Sequence, residues 1–141
     1  GSSNIQLNQV FSATNTNTAT YVAYCFASVQ GYSKVGTYKG NGNSDGTFVY
    51  TGFRPAFLIY KNTDTADNWA IYDSVRDTFN VRDSYLYADS TAAEATYSTA
   101  LVDFLSNGFK WRGAVNFGNN SSGTYIYMAF AEAPFKFANA T

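Results

Sequence analysis

Histidine is absent from this chain of 141 residues, and cysteine occurs once, at Cys25. The Ser-His-Asp and Cys-His routes to nucleophilic catalysis and the Cys/His zinc sites are therefore closed, as is any disulfide within the chain. The expectation is a protein that is not an enzyme and carries no cofactor. Charge is scarce too: 13% of residues are charged, against about 25% in an average soluble domain. The nine basic residues are scattered singly and the net charge is -1. Phosphate backbones are bound by clustered Lys and Arg that release counterions, so nucleic acid is not an expected partner. No apolar run reaches the roughly 20 residues of a membrane span, and no signal peptide is visible. Gly1-Ser2-Ser3 has the look of an appended scar, which would place the native start elsewhere.

What is abundant is aromatic. Tyr and Phe number 12 each, aromatic residues make up 18% and hydrophobic residues 45%, a composition that excludes intrinsic disorder. Aromatic and β-branched side chains suit a pleated, half-buried surface. A single all-β domain follows, long enough to bury a core unaided.

The pattern of apolar runs and turns supplies strands. A short one spans residues 32–38, a Gly/Asn/Ser loop fills 40–46, and extended structure resumes over 47–51. Arg54-Pro55 interrupts the pattern, because proline cannot donate to a ladder. Ala56-Phe57-Leu58-Ile59-Tyr60 is a continuous apolar run suited to a central strand covered on both faces, and Trp69-Ala70-Ile71-Tyr72 pairs with it across the polar turn 62–68. Thr91-Ala92-Ala93-Glu94 has capping-box spacing, which leaves one helical turn and a polar loop as alternatives. Strand character returns over 101–105 and 108–112.

One segment occurs twice. Thr20-Tyr21-Val22-Ala23-Tyr24-Cys25-Phe26-Ala27 matches Thr124-Tyr125-Ile126-Tyr127-Met128-Ala129-Phe130-Ala131 at an offset of 104, with four of eight positions identical. The match runs backwards without a gap, Ile5 falling on Phe109, Leu7 on Trp111 and Asn15 on Asn119. Residues 1–30 read either as the closing hairpin of an upstream copy or as a hairpin of this domain, in place or exchanged between subunits. Both strands are apolar on both faces, which calls for a core on one side and a second layer or another subunit on the other. A homo-oligomer is the expectation. Cys25, mid-strand and without a local base, reads as an inert core thiol.

Candidate sites compete with structural roles. Sugar rings stack on flat aromatic faces while nearby Asp, Asn and Arg bond the hydroxyls. Asp67, Asn68, Trp69, Tyr72, Asp73 and Arg76 supply those types within one loop and strand end. The alternative places Trp69 and Tyr72 in the core and makes the acids turn residues. Asn41, Asn43 and Asp45 lie in an oxygen-rich loop that resembles a calcium loop but lacks its carboxylates and closing Glu, so a glycine-rich connection is the better account. The acids sit mostly among turn-like residues, unlike the carboxyl pair of a glycosidase. Sequons at Asn119-Asn120-Ser121-Ser122 and Asn139-Ala140-Thr141 read as polar loop.

Three stretches together resemble a domain of unknown function that recurs in bacteriophage tail-fibre and related virion proteins, notably of marine and environmental phages. They are 52–61 with Asn68-Trp69-Ala70-Ile71-Tyr72-Asp73, then 103–110, then Asn119 through Ala131, following a "G-x-x-P" strand, an "N-W-x-x-Y" strand and a closing "N-x-S-G-x-T-Y-x-x-x-x-F-A". The resemblance covers roughly residues 20 to 137. It implies an antiparallel β-sandwich of jelly-roll or concanavalin-like, lectin-like type, with at most one short helix. It further implies an extracellular position on a virion surface, where a trimeric fibre adheres to host-cell glycans. The competing expectation is a structural spacer or capsid decoration with no ligand. Exposure of Trp69 and Trp111 separates the two.

Overall fold

The computed structural model describes residues 16–114 and 116–133. Ile5, Leu7, Asn15 and the sequon at Asn139 lie outside them. In chain order the elements are β1 (Ser33–Lys39), β2 (Phe48–Tyr50), β3 (Pro55–Asn62), β4 (Ala70–Asp73), β5 (Ser84–Tyr87), β6 (Ala95–Thr96), β7 (Val102–Leu105), β8 (Gly108–Trp111), the single-turn helix α1 (Asn116–Asn119) and β9 (Thr124–Ala131). Six strands form one sheet in the order β1-β9-β3-β4-β5-β6, and three form another in the order β2-β8-β7. Every strand pair is antiparallel. The fold is an all-β, two-sheet antiparallel sandwich, as the composition requires.

The apolar run in β3 does what such runs do: it lies between β9 and β4, paired along both edges. Side chains alternate across the large sheet. Tyr38, Leu58, Tyr60, Ala70, Tyr72, Tyr85, Tyr125, Tyr127 and Ala129 face inward and meet Val49, Val102, Phe104, Phe109 and Trp111 in one core. Tyrosine suits this role because its ring fills the interior while its hydroxyl can reach a loop. Tyr38 Oη donates to the Gly118 carbonyl at 2.8 Å, and Tyr72 Oη to that of Ala100 at 2.6 Å. Tyr125 Oη accepts the Asn120 N–H at 2.8 Å. Burial raises the Tyr38 and Tyr60 hydroxyls well above the ordinary tyrosine range.

One alternative is decided and two expectations change. Residues 91–94 form a loop, so the polar-loop alternative holds there, and among the described residues the one helix falls at Asn116–Asn119. Residues 20–27 lie in no sheet, and Cys25 is exposed rather than a core thiol. Asp103 is not a solvated loop acid: it sits in β7, only 4% exposed, and takes Arg112 Nε on Oδ2 at 2.5 Å.

Candidate functional site

The sequence-defined candidate set is divided by β4. A strand rises about 3.3 Å per residue, so Trp69 and Asp73 stand about 13 Å apart at opposite ends of Ala70–Asp73. Tyr72 lies between them at 0% exposure, stacked on Tyr60 with ring centroids 6.2 Å apart. Its reading as a ligand contact is corrected: Leu58 and Tyr72 pair across β3 and β4 and both face inward. Trp111 is likewise fully buried, whereas Trp69 is half-buried. Trp69 continues the outward alternation of Ile71, and its backbone N–H donates to Asp89 Oδ1 at 3.1 Å. Asp67 beside it accepts Lys61 Nζ on its carbonyl and the Thr65 hydroxyl on its carboxylate, and Asn68 is exposed.

At the far end, Asp73 and Arg76 line an open hollow of ≈ 670 Å³ with Ala56, Phe57, Ser74, Val75 and Glu94. The Asp73 carboxylate accepts the backbone N–H groups of Val75 and Arg76 at 3.0 and 2.7 Å, and Arg76 Nε and Nη2 at 3.1 and 2.8 Å. Arg76 Nη1 is taken by Glu94. Partial burial works against the Asp73 anion, but these donors outweigh it and hold its carboxyl below the usual range. Glycoside hydrolysis needs one carboxyl of its pair protonated in an apolar pocket. Asp73 is held ionised, and the guanidinium between the two acids is fully engaged.

The sign of the resulting pH dependence is fixed. A depressed folded pKa contributes stability above the unfolded value, near 3.9, that is lost as pH falls through the folded value. Val75 and Arg76 amide resonances should titrate with a midpoint below pH ~3.9, and Asp73→Asn should abolish that titration. A midpoint at or above the ordinary value would contradict the geometry.

The oxygens of Asn41, Asn43 and Asp45 serve their own loop. Asn41 Oδ1 accepts the Asn43 N–H at 3.0 Å, Asn43 Oδ1 accepts that of Asp45 at 2.9 Å, and the Asp45 carboxylate pairs with Lys110. No group of three or more Asp, Glu, Cys or His side chains able to hold a metal occurs among the described residues.

A different pair of aromatics is presented to solvent. In β2 the middle residue Val49 enters the core, so Phe48 and Tyr50 project from the opposite face, 43% and 65% exposed. Their cross-strand partners on β8 are Lys110 and Gly108. A Cβ on Gly108 would lie 3.0 Å from Phe48 Cε2 and Cζ, so the Phe48 ring leans over bare backbone there. Tyr50 rests against Gly52, whose φ of +85° suits glycine. Polar groups border the rings: Lys110 with Asp45, and Asp103 with Arg112 one strand further on. Lys110 holds the Asp45 carboxyl below its usual range. Two aromatic faces two residues apart, rimmed by donors and acceptors, form a platform able to stack on a flat apolar ligand face and bond its polar edge. The signal that could have found it is the triplet Phe48-Val49-Tyr50 between Gly46 and Gly52.

Fold and surface together define a two-sheet antiparallel β domain with an exposed aromatic platform. Within that class the chain belongs to the domain of unknown function DUF7483, whose family model matches residues 2–134. Comparison with curated proteins and with solved structures finds no match.

Proposed function

We propose that this domain is a non-enzymatic adhesion or receptor-binding module that recognises cell-surface glycans through the Phe48–Tyr50 platform. The observation that carries the reading is the outward pair of aromatics on β2, exposed beside two ion pairs while six other tyrosines are buried. A pyranose presents C–H groups on one face and hydroxyls around its edge, which is the complement of such a surface. Binding at one shallow platform is weak, and several copies on one particle raise it through effective concentration. A place on a phage tail fibre or virion surface, with a trimer favoured, is carried by the sequence resemblance, and a homo-oligomer by the two segments whose sequence is apolar on both faces. The second reading is an assembly module without a ligand, and the exposed segment 20–27 is the observation on its side.

A glycan array with the purified domain, followed by titration of its best hit, tests the first reading. Tyr50→Ala should weaken binding by about tenfold or more, as removal of a central aromatic contact does. It should change stability by no more than about 0.5 kcal/mol, the usual range for an exposed position. Trp69→Ala should leave the affinity unchanged. Retained binding in both Tyr50→Ala and Phe48→Ala would end the platform reading.

A further inference from the structure

The sequence repeat is also a structural one. The turn before β9 is tied by the Asn120 N–H donating to Tyr125 Oη at 2.8 Å and the Gly123 N–H to the Asn120 carbonyl at 3.0 Å, with Ser122 left-handed at φ 62°. At the same offset of 104, the Thr16 N–H donates to Tyr21 Oη at 2.9 Å, the Ala19 N–H donates to the Thr16 carbonyl at 3.2 Å, and Thr18 is left-handed at φ 67°. A non-glycine residue in that conformation is uncommon, and β-branched Thr18 is an outlier, so the left-handed turn at matching positions marks one device built twice.

The strands that follow have opposite fates. β9 is paired on both edges, and Tyr125, Tyr127 and Ala129 are buried. Its twin is displayed: Val22 is 77% and Tyr24 82% exposed. From Val22 to Phe26 no backbone hydrogen bond is made among the described residues. Among the described residues the twin has no complete place in its own sheet. The β9 position is filled by β9. On the outer edge of β1 a hairpin begins at the Val29–Ser33 bridge, but Ser28 Oγ accepts the Val35 N–H at 3.0 Å and donates to the Val35 carbonyl at 3.3 Å, so a side chain takes the place of the ladder there.

Natural monomers guard such strands with charge. Here no charged residue occurs before Lys34. Resting on the homo-oligomer of the proposed function, we infer that residues 20–27 form the contact strand of a homotypic assembly, pairing edge to edge with residues 20–27 of a second copy of this chain. The strand brings Val22, Tyr24 and Phe26 on one face and Tyr21, Ala23 and Cys25 on the other. Phe26 already sits edge-on to Phe130, with centroids 6.0 Å apart, on the outer face of the large sheet.

Sedimentation velocity over a wide concentration range should show reversible assembly of the full chain, and the limiting mass gives the number of copies. Val22→Asp and Tyr24→Asp should each hold the chain monomeric with an unchanged far-UV spectrum. Gln30→Asp, which adds the same charge at the exposed turn, should not. Cys25 is a native reporter: its alkylation rate should fall as the assembled fraction rises, and should not depend on concentration in Val22→Asp. A monomer at every concentration overturns the inference, as does assembly that survives both Asp substitutions. Concentration-independent protection of Cys25 would mean that the strand closes within its own chain, and also overturns it. Tyr50→Ala should leave assembly intact, so failure here is separable from failure of the glycan reading.

Discussion

Trp111→Ala should cost about 3–5 kcal/mol of folding stability, the range for truncating a large buried aromatic. Such a loss approaches the whole stability of a domain near the lower end of the usual range of about 5–15 kcal/mol. The indole is fully enclosed where the two sheets and α1 meet. Tyr60 stands against it edge-on at 5.0 Å, Tyr72 edge-on at 6.1 Å, and Tyr38 is stacked at 6.4 Å. The opposite change makes the same point: a Cβ on Gly118 would fall 2.2 Å from the ring. Gly118→Ala should therefore destabilise by overpacking, and Trp111→Phe should relieve much of that cost, a coupling expected only of touching residues. Urea titration followed by far-UV circular dichroism gives all four corners of the cycle. Additive effects, or a Trp111→Ala cost below about 1 kcal/mol, would show that the ring is not the keystone its burial suggests.

The strands most legible in the sequence were those whose burial is two-sided or whose turns are local. Residues 56–60 read as a central strand because an unbroken apolar run fits no half-solvated position, and β3 is central. The pair 101–105 and 108–112 is joined by a short turn and appears as the β7–β8 hairpin. β5 carried no such signal. Only Tyr85 of its four residues is buried, and its approach is shaped by Asp77, whose carboxylate accepts the N–H groups of Asp83 and Ser84 from six and seven residues away. Residues 20–27 show the limit from the other side. Their pattern reads as a strand apolar on both faces, yet they lie in no sheet, because a pattern specifies faces and cannot supply an edge.

The candidate site was less legible for a related reason. Residue type marked Trp69 and Tyr72 as able to stack on a sugar, but which face of β4 meets the core is set by its register with β3, a non-local fact. The same alternation sends Tyr72 inward and Phe48 and Tyr50 outward, and neither direction follows from being aromatic. Asp103 and Arg82 were hidden similarly. Both are charged and nearly fully buried, Asp103 beside Arg112 and Arg82 with its guanidinium 4.5 Å from the Phe104 ring centroid.

Asn119→Asp should be about as damaging as the loss of Trp111, and its damage should depend on pH. Asn119 is fully buried and fastens three segments. Its Oδ1 accepts the N–H groups of Asn41 and Thr47 at 3.0 and 3.4 Å. Its Nδ2 donates toward Asn41 Oδ1 and the carbonyls of Asn43 and Gly113 at 2.8, 2.9 and 3.0 Å. A carboxylate would replace that donor with a charged acceptor facing three others, and an uncompensated buried charge costs about 3–5 kcal/mol. Burial and surrounding acceptors raise the pKa of the introduced carboxyl in the folded state. The penalty is therefore small below the unfolded value, near 3.9, where the group is neutral in both states, and grows as pH rises toward the folded value. Because Asp73 destabilises the parent protein on acidification, the quantity to measure is the stability difference between Asn119→Asp and the parent at each pH. That difference should narrow as pH falls, whereas Asn119→Ala should lose a constant amount. The effect should also reach the platform, since Asn119 holds the Thr47 N–H immediately before Phe48. Glycan affinity in Asn119→Ala should then fall under conditions where the sandwich is still folded, linking the buried amide to the surface it positions.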